Sequence, residues 1–77
     1  MNAIRLLRAL VAAGAKPRVP MDSSWIDKTA MRDASLEQRE LASALGYARG
    51  LGWLVDSPKG RVSLTRAGKF AARRVKS

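Results

Sequence analysis

Arg66, Lys69 and Arg73 lie three and four residues apart near the C-terminus, so on a helix they form one basic stripe, extended by Arg74 and Lys76. Cations presented in that way bind phosphate or carboxylate oxygens. Lys59 and Arg61 flank Gly60 in a turn-like stretch. On an exposed hairpin they reach a phosphate or a narrow minor groove, or else simply solvate the turn. Asp27, Asp33, Glu37 and Glu40 are the only carboxylates close enough in sequence to suggest a metal site. Spread over two predicted helices, they read instead as solvated charges balancing Lys28, Arg32 and Arg39. The chain has no Cys and no His. It therefore lacks any disulfide, thiolate nucleophile or imidazole ligand, and the usual general base. Neither a catalytic function nor a metal, cofactor or small-molecule substrate is expected.

The charge is unevenly spread. Fifteen Lys and Arg against six Asp and Glu give a formal net of +9. Residues 1–21 carry +4, residues 22–40 carry −2, residues 41–56 are balanced and residues 57–77 carry +7. The basic excess thus sits at the two ends, and it points to a polyanionic partner. With 77 residues, 47% of them hydrophobic, the chain suits one small packed domain that buries only ~60% of its unfolded surface. No stretch approaches the length of a membrane span. The acid-free first fifteen residues raise the question of a targeting segment, but Arg5 and Arg8 interrupt their apolar run and the core needs that helix. A soluble, cytoplasmic protein is expected, nucleoid-associated if it binds DNA.

The pattern that must position these cations is mostly helical. A first helix is predicted over 2–13, with Ile4, Leu7, Leu10 and Val11 inward and Gly14 ending it. The prolines of KPRVP then enforce an extended connector. A second helix over 23–33, capped by Asp22 or Ser23, turns Trp25, Ile26, Thr29 and Ala30 inward. Ser35 and Gln38 read as a capping box opening a third helix over 35–51, with Leu41, Ala44, Leu45, Ala48 and Leu51 inward until Gly52. The period then falls to two. A hairpin is predicted over 53–64, with Val62 and Leu64 on one face and a turn from Asp56 to Gly60. Thr65 caps a last helix over 66–75, with Ala67, Phe70, Ala71 and Val75 inward. Trp25 and Trp53 read as core or rim aromatics.

Three helices followed by a hairpin with a basic tip resemble the winged helix-turn-helix family over nearly the whole chain. The stretch from Leu41 to Leu54 is similar to that family's recognition helix running into its first wing strand. Leu64-Thr65-Arg66-Ala67-Gly68 is similar to the leucine-threonine, two residues, glycine that closes the wing in many bacterial regulators of this type. The resemblance implies an α+β, mostly α fold: a three-helix winged helix-turn-helix core, a hairpin wing and a final helix. It also implies that the third helix enters the major groove of duplex DNA while the wing touches the backbone or the minor groove.

On a helical wheel the outward side of the third helix holds Arg39, Ala42, Ser43, Gly46, Arg49 and Gly50. Small residues let a backbone approach DNA closely, and arginine can address guanine or phosphate. Gly46 and Gly50 would equally admit a second helix, as in a homodimer. Glu37 and Glu40 suit the helix dipole but repel phosphate, so Gln38, Arg39 and Ser43 form the base-facing part, with Tyr47 at its boundary. The expected nucleic-acid-binding set is Gln38, Arg39, Ser43, Tyr47, Arg49, Lys59, Arg61, Arg66, Lys69, Arg73 and Arg74. The function expected is a DNA-binding transcriptional regulator or accessory factor. The alternatives are a module holding an acidic protein partner, for example in the transcription machinery, and RNA binding by shape and charge.

Overall fold

The computed structural model describes residues 2–74, with side chains over 2–73. In chain order the elements are α1 (Asn2–Ala12), β1 (Pro20–Met21), α2 (Ser23–Asp33), α3 (Gln38–Gly50), β2 (Leu54–Ser57), β3 (Arg61–Leu64) and α4 (Arg66–Arg74), with a 3₁₀ turn at Pro58–Gly60 between β2 and β3. The fold is α+β and mostly helical. None of the described helices is long and apolar enough to cross a membrane.

α1 is the central element, packing against α2, α3 and α4. Its leucines make this possible, since Leu6, Leu7 and Leu10 are fully buried, while Arg5, Arg8 and Ala12 face solvent as the periodicity predicts. Ile4 and Val11 only flank the core, and Ala3, Leu6 and Ala9 take part of the place expected for them. Gly14 ends the helix with φ 109°, a conformation open to glycine at no steric cost. α2 contributes Ile26, Thr29 and Ala30, α3 contributes Leu41, Ala44 and Ala48, and the sheet closes the core with Met21, Leu54, Val62 and Leu64. Trp25 and Trp53 are half-buried against this cluster.

The sheet holds one strand more than expected. β3 is central, in the order β1-β3-β2, all antiparallel. The KPRVP connector is therefore a sheet edge: Pro20 stands opposite Ser63 and Met21 opposite Val62. Proline tolerates an edge because its missing N–H is not needed there. Flanked on both sides, β3 buries Ser63 as well as Val62 and Leu64, and the Ser63 and Ser57 hydroxyls bond each other at 2.5 Å. Trp53 precedes β2 rather than opening it.

α3 begins at Gln38, not at Ser35. Ser35 adopts a left-handed φ of 55°, which reverses the chain after α2, and Leu36 is buried with its N–H on the Ala30 carbonyl at 3.3 Å. The residue expected to open α3 thus closes α2. The reciprocal bond is made by Glu40, whose carboxylate accepts the Glu37 N–H at 2.9 Å. At its other end α3 stops at Gly50, so Leu51 is 48% exposed rather than inward, and Gly52 turns the chain with φ 75°.

In α4 the inward positions are Gly68, Ala71 and Ala72. Ala67 and Phe70 are exposed, against expectation, Phe70 at 64%. Val75 lies outside the described residues. The Thr65 expectation holds: its Oγ1 accepts the Gly68 N–H at 3.0 Å and donates toward the Gly52 and Trp53 carbonyls at 2.7 and 3.1 Å. One hydroxyl thereby caps α4 and ties it to the start of the hairpin. Thr65→Ala should cost about 1–2 kcal/mol in a urea melt, while Thr65→Ser should recover most of it.

Candidate nucleic-acid interface

The burial of Leu41, Ala44 and Ala48 against α1 and α2 fixes which side of α3 faces out. Gln38, Arg39, Ala42, Ser43, Gly46, Tyr47, Arg49 and Gly50 are all exposed. A Cβ built on Gly46 or Gly50 meets no atom within 4 Å. Among the described residues nothing requires glycine at either position, yet each costs about 0.5–1 kcal/mol relative to alanine in a helix. Glu40 turns its carboxylate back onto the first turn of α3, where the helix dipole favours it, and so points less charge at the outward side.

Two of the expected contact residues already have partners. Arg49 Nε lies 3.1 Å from Asp56 Oδ1, joining the end of α3 to β2, and Arg61 Nε lies 3.2 Å from Asp22 Oδ1, joining β3 to the start of α2. Both pairs are exposed, the Asp56 side chain at 75%, and exposed pairs of this kind are worth about 0–1 kcal/mol. They orient the guanidiniums without consuming them. Ser23 Oγ also donates to the Gly60 carbonyl at 3.1 Å, so the hairpin tip is pinned beside α2. Lys59 stands exposed at the apex with φ 65°. Tyr47, 48% exposed, meets Trp53 edge-on with ring centroids 6.2 Å apart, which fixes the phenol against the rim of the core.

On α4, Arg66, Lys69 and Arg73 line one open groove of about 250 Å³ with Pro17 and Phe70. Arg66 also borders a second groove with Arg18, Val55 and Thr65. Among the described residues, neither groove is lined by a carboxylate. Arg18 belongs with this cluster although helix periodicity had no means of finding it. Its N–H bonds the Leu64 carbonyl at 2.9 Å, which sets it beside α4. The Arg74 side chain and Lys76 lie outside the described residues. The predicted set therefore divides in three: the outward side of α3, the pinned hairpin tip, and α4 with the connector. Arg32, outside all three, has its guanidinium pKa raised by the hydrogen bond to Asp33 and then by that carboxylate's charge. Neither a protein-family model nor a curated protein nor a solved structure matches the chain.

Proposed function

We propose that the chain is a winged-helix domain that binds duplex DNA, as a regulator or accessory factor, with α3 in the major groove and the hairpin and α4 along the backbone. The observation that carries this reading is the outward side of α3. It is exposed, free of bulk at Gly46 and Gly50, and framed by Arg39 and Arg49. The order of three helices and a hairpin supports it, as does the want of carboxylates, among the described residues, in the groove lined by Arg66, Lys69 and Arg73. The partner is an anion because the cations greatly outnumber the acids. It is a duplex because the small-residue side belongs to a helix whose width suits a major groove.

Contact with ~5 phosphates predicts a slope near −4.5 in a plot of log affinity against log salt. Fluorescence anisotropy with a mixed-sequence duplex measures it. A flat plot overturns the proposal, and stronger binding of structured RNA than of the duplex replaces it by the RNA reading.

A further inference from the structure

One basic surface lies outside the residues assigned so far. Arg5 and Arg8 stand one turn apart on the exposed side of α1 and face the turn between α2 and α3 across an open groove of about 490 Å³, whose wall includes Ala9, Ala12, Asp33 and Ser35. The turn itself holds one guanidinium in place: Arg5 Nη2 donates to the Ala34 carbonyl at 2.5 Å, and Nη1 donates to Asn2 Oδ1 at 3.4 Å. A guanidinium has five N–H donors, so Arg5 keeps others for a ligand. Asp33 is the one acid among the described residues of the wall, and its carboxylate is engaged by Arg32 at 2.9 and 3.5 Å. Arg8 makes no ion pair among the described residues. The alanines leave the groove shallow and accessible. At its rim Ser35 keeps a hydroxyl on a left-handed backbone, φ 55°, where glycine would be less strained.

The position of the groove indicates its ligand. From Ser35 the chain runs through Leu36 and Glu37 directly into Gln38, the first residue of α3. A duplex whose bases meet Gln38, Arg39 and Ser43 carries one strand's backbone past this turn. We propose that the groove holds a backbone phosphate of that duplex, with Arg8 and Arg5 donating charge-assisted hydrogen bonds and the Ser35 hydroxyl donating another. This rests on the DNA-binding reading above. It also gives α3 the positive charge at its N-terminal end that Glu37 and Glu40 withhold.

The test is a set of salt titrations on a mixed-sequence duplex with the wild type, Arg8→Gln, Arg8→Lys and Lys28→Gln, the last removing an exposed charge on α2 that does not line the groove. Losing one phosphate contact should make the Arg8→Gln slope shallower by about 0.9 and weaken binding about eightfold at 0.1 M salt. Arg8→Lys should keep the slope, and Lys28→Gln should leave slope and affinity unchanged. An unchanged slope in Arg8→Gln overturns the phosphate site, and so does an equal effect of Lys28→Gln. A wild type that does not bind the duplex overturns instead the DNA reading on which the site rests.

Discussion

Gly68→Ala is expected to destabilise the domain by about 2–3 kcal/mol. The added Cβ would stand 2.3 Å from the Trp53 carbonyl oxygen, 2.8 Å from Leu64 Cδ1 and 3.0 Å from the Trp53 carbonyl carbon. The Leu64 methyl could turn, but that side chain is among the fully buried ones and has little room. The carbonyl cannot move cheaply, because it already accepts the Thr65 N–H at 3.0 Å and the Thr65 hydroxyl at 3.1 Å. Relief of the clash therefore breaks the junction between hairpin and α4. A chain of this size has a total stability of about 4–11 kcal/mol, so the loss is a large share of it. Urea melts should show a lower midpoint at an unchanged slope. A midpoint equal to wild type would show that α4 does not approach the Trp53 carbonyl as closely as described.

Gly46→Leu should do the reverse, raising stability by about 0.8 kcal/mol through helix propensity while abolishing most duplex binding. A Cβ at Gly46 meets no atom of the described residues within 4 Å, and the exposed side of α3 leaves the new side chain directed to solvent. It would then hold the helix off the floor of a groove. Affinity should fall about a hundredfold, some 2.8 kcal/mol, and the stability gain guards against mistaking unfolding for lost contact. Unchanged affinity would leave the hairpin and α4 as the binding elements. If Gly46→Leu dissociated a dimer seen by sedimentation and spared DNA binding, the open side of α3 would be a helix-helix contact. Anisotropy and sedimentation on the same samples separate these results.

The two substitutions concern the same residue type in helices, yet they differ in sign. Nothing in the sequence separates Gly46 from Gly68 beyond the short resemblance around Leu64 and Thr65. The distinction arises because Trp53, fifteen positions earlier and just before β2, places its carbonyl against Gly68, and none of the described residues does so at Gly46. Phe70 follows from the same contact. Alanine and phenylalanine were both available to face inward, but α4 lies so near α1 and Trp53 that only Gly68, Ala71 and Ala72 fit, which turns Phe70 outward.

Features that local interactions control were legible from the residues alone. Helix periodicity set most of the buried and exposed sides of α1, α2 and α3, Thr65 set the start of α4, Gly14 and Gly52 set chain reversals, and the placing of Lys and Arg set where positive charge concentrates. These depend on residues within about one helical turn of each other. The closed fold makes the proline-rich connector a sheet edge and has Ser35 end α2 instead of starting α3. It likewise decided that Arg49 and Arg61 lean on Asp56 and Asp22, and that Arg18 joins the α4 cations while Arg5 and Arg8 share a groove with the α2–α3 turn. Most of these arrangements join residues distant in the chain. Local propensity is silent about such pairs, because burial and strand register select them only when the whole core closes.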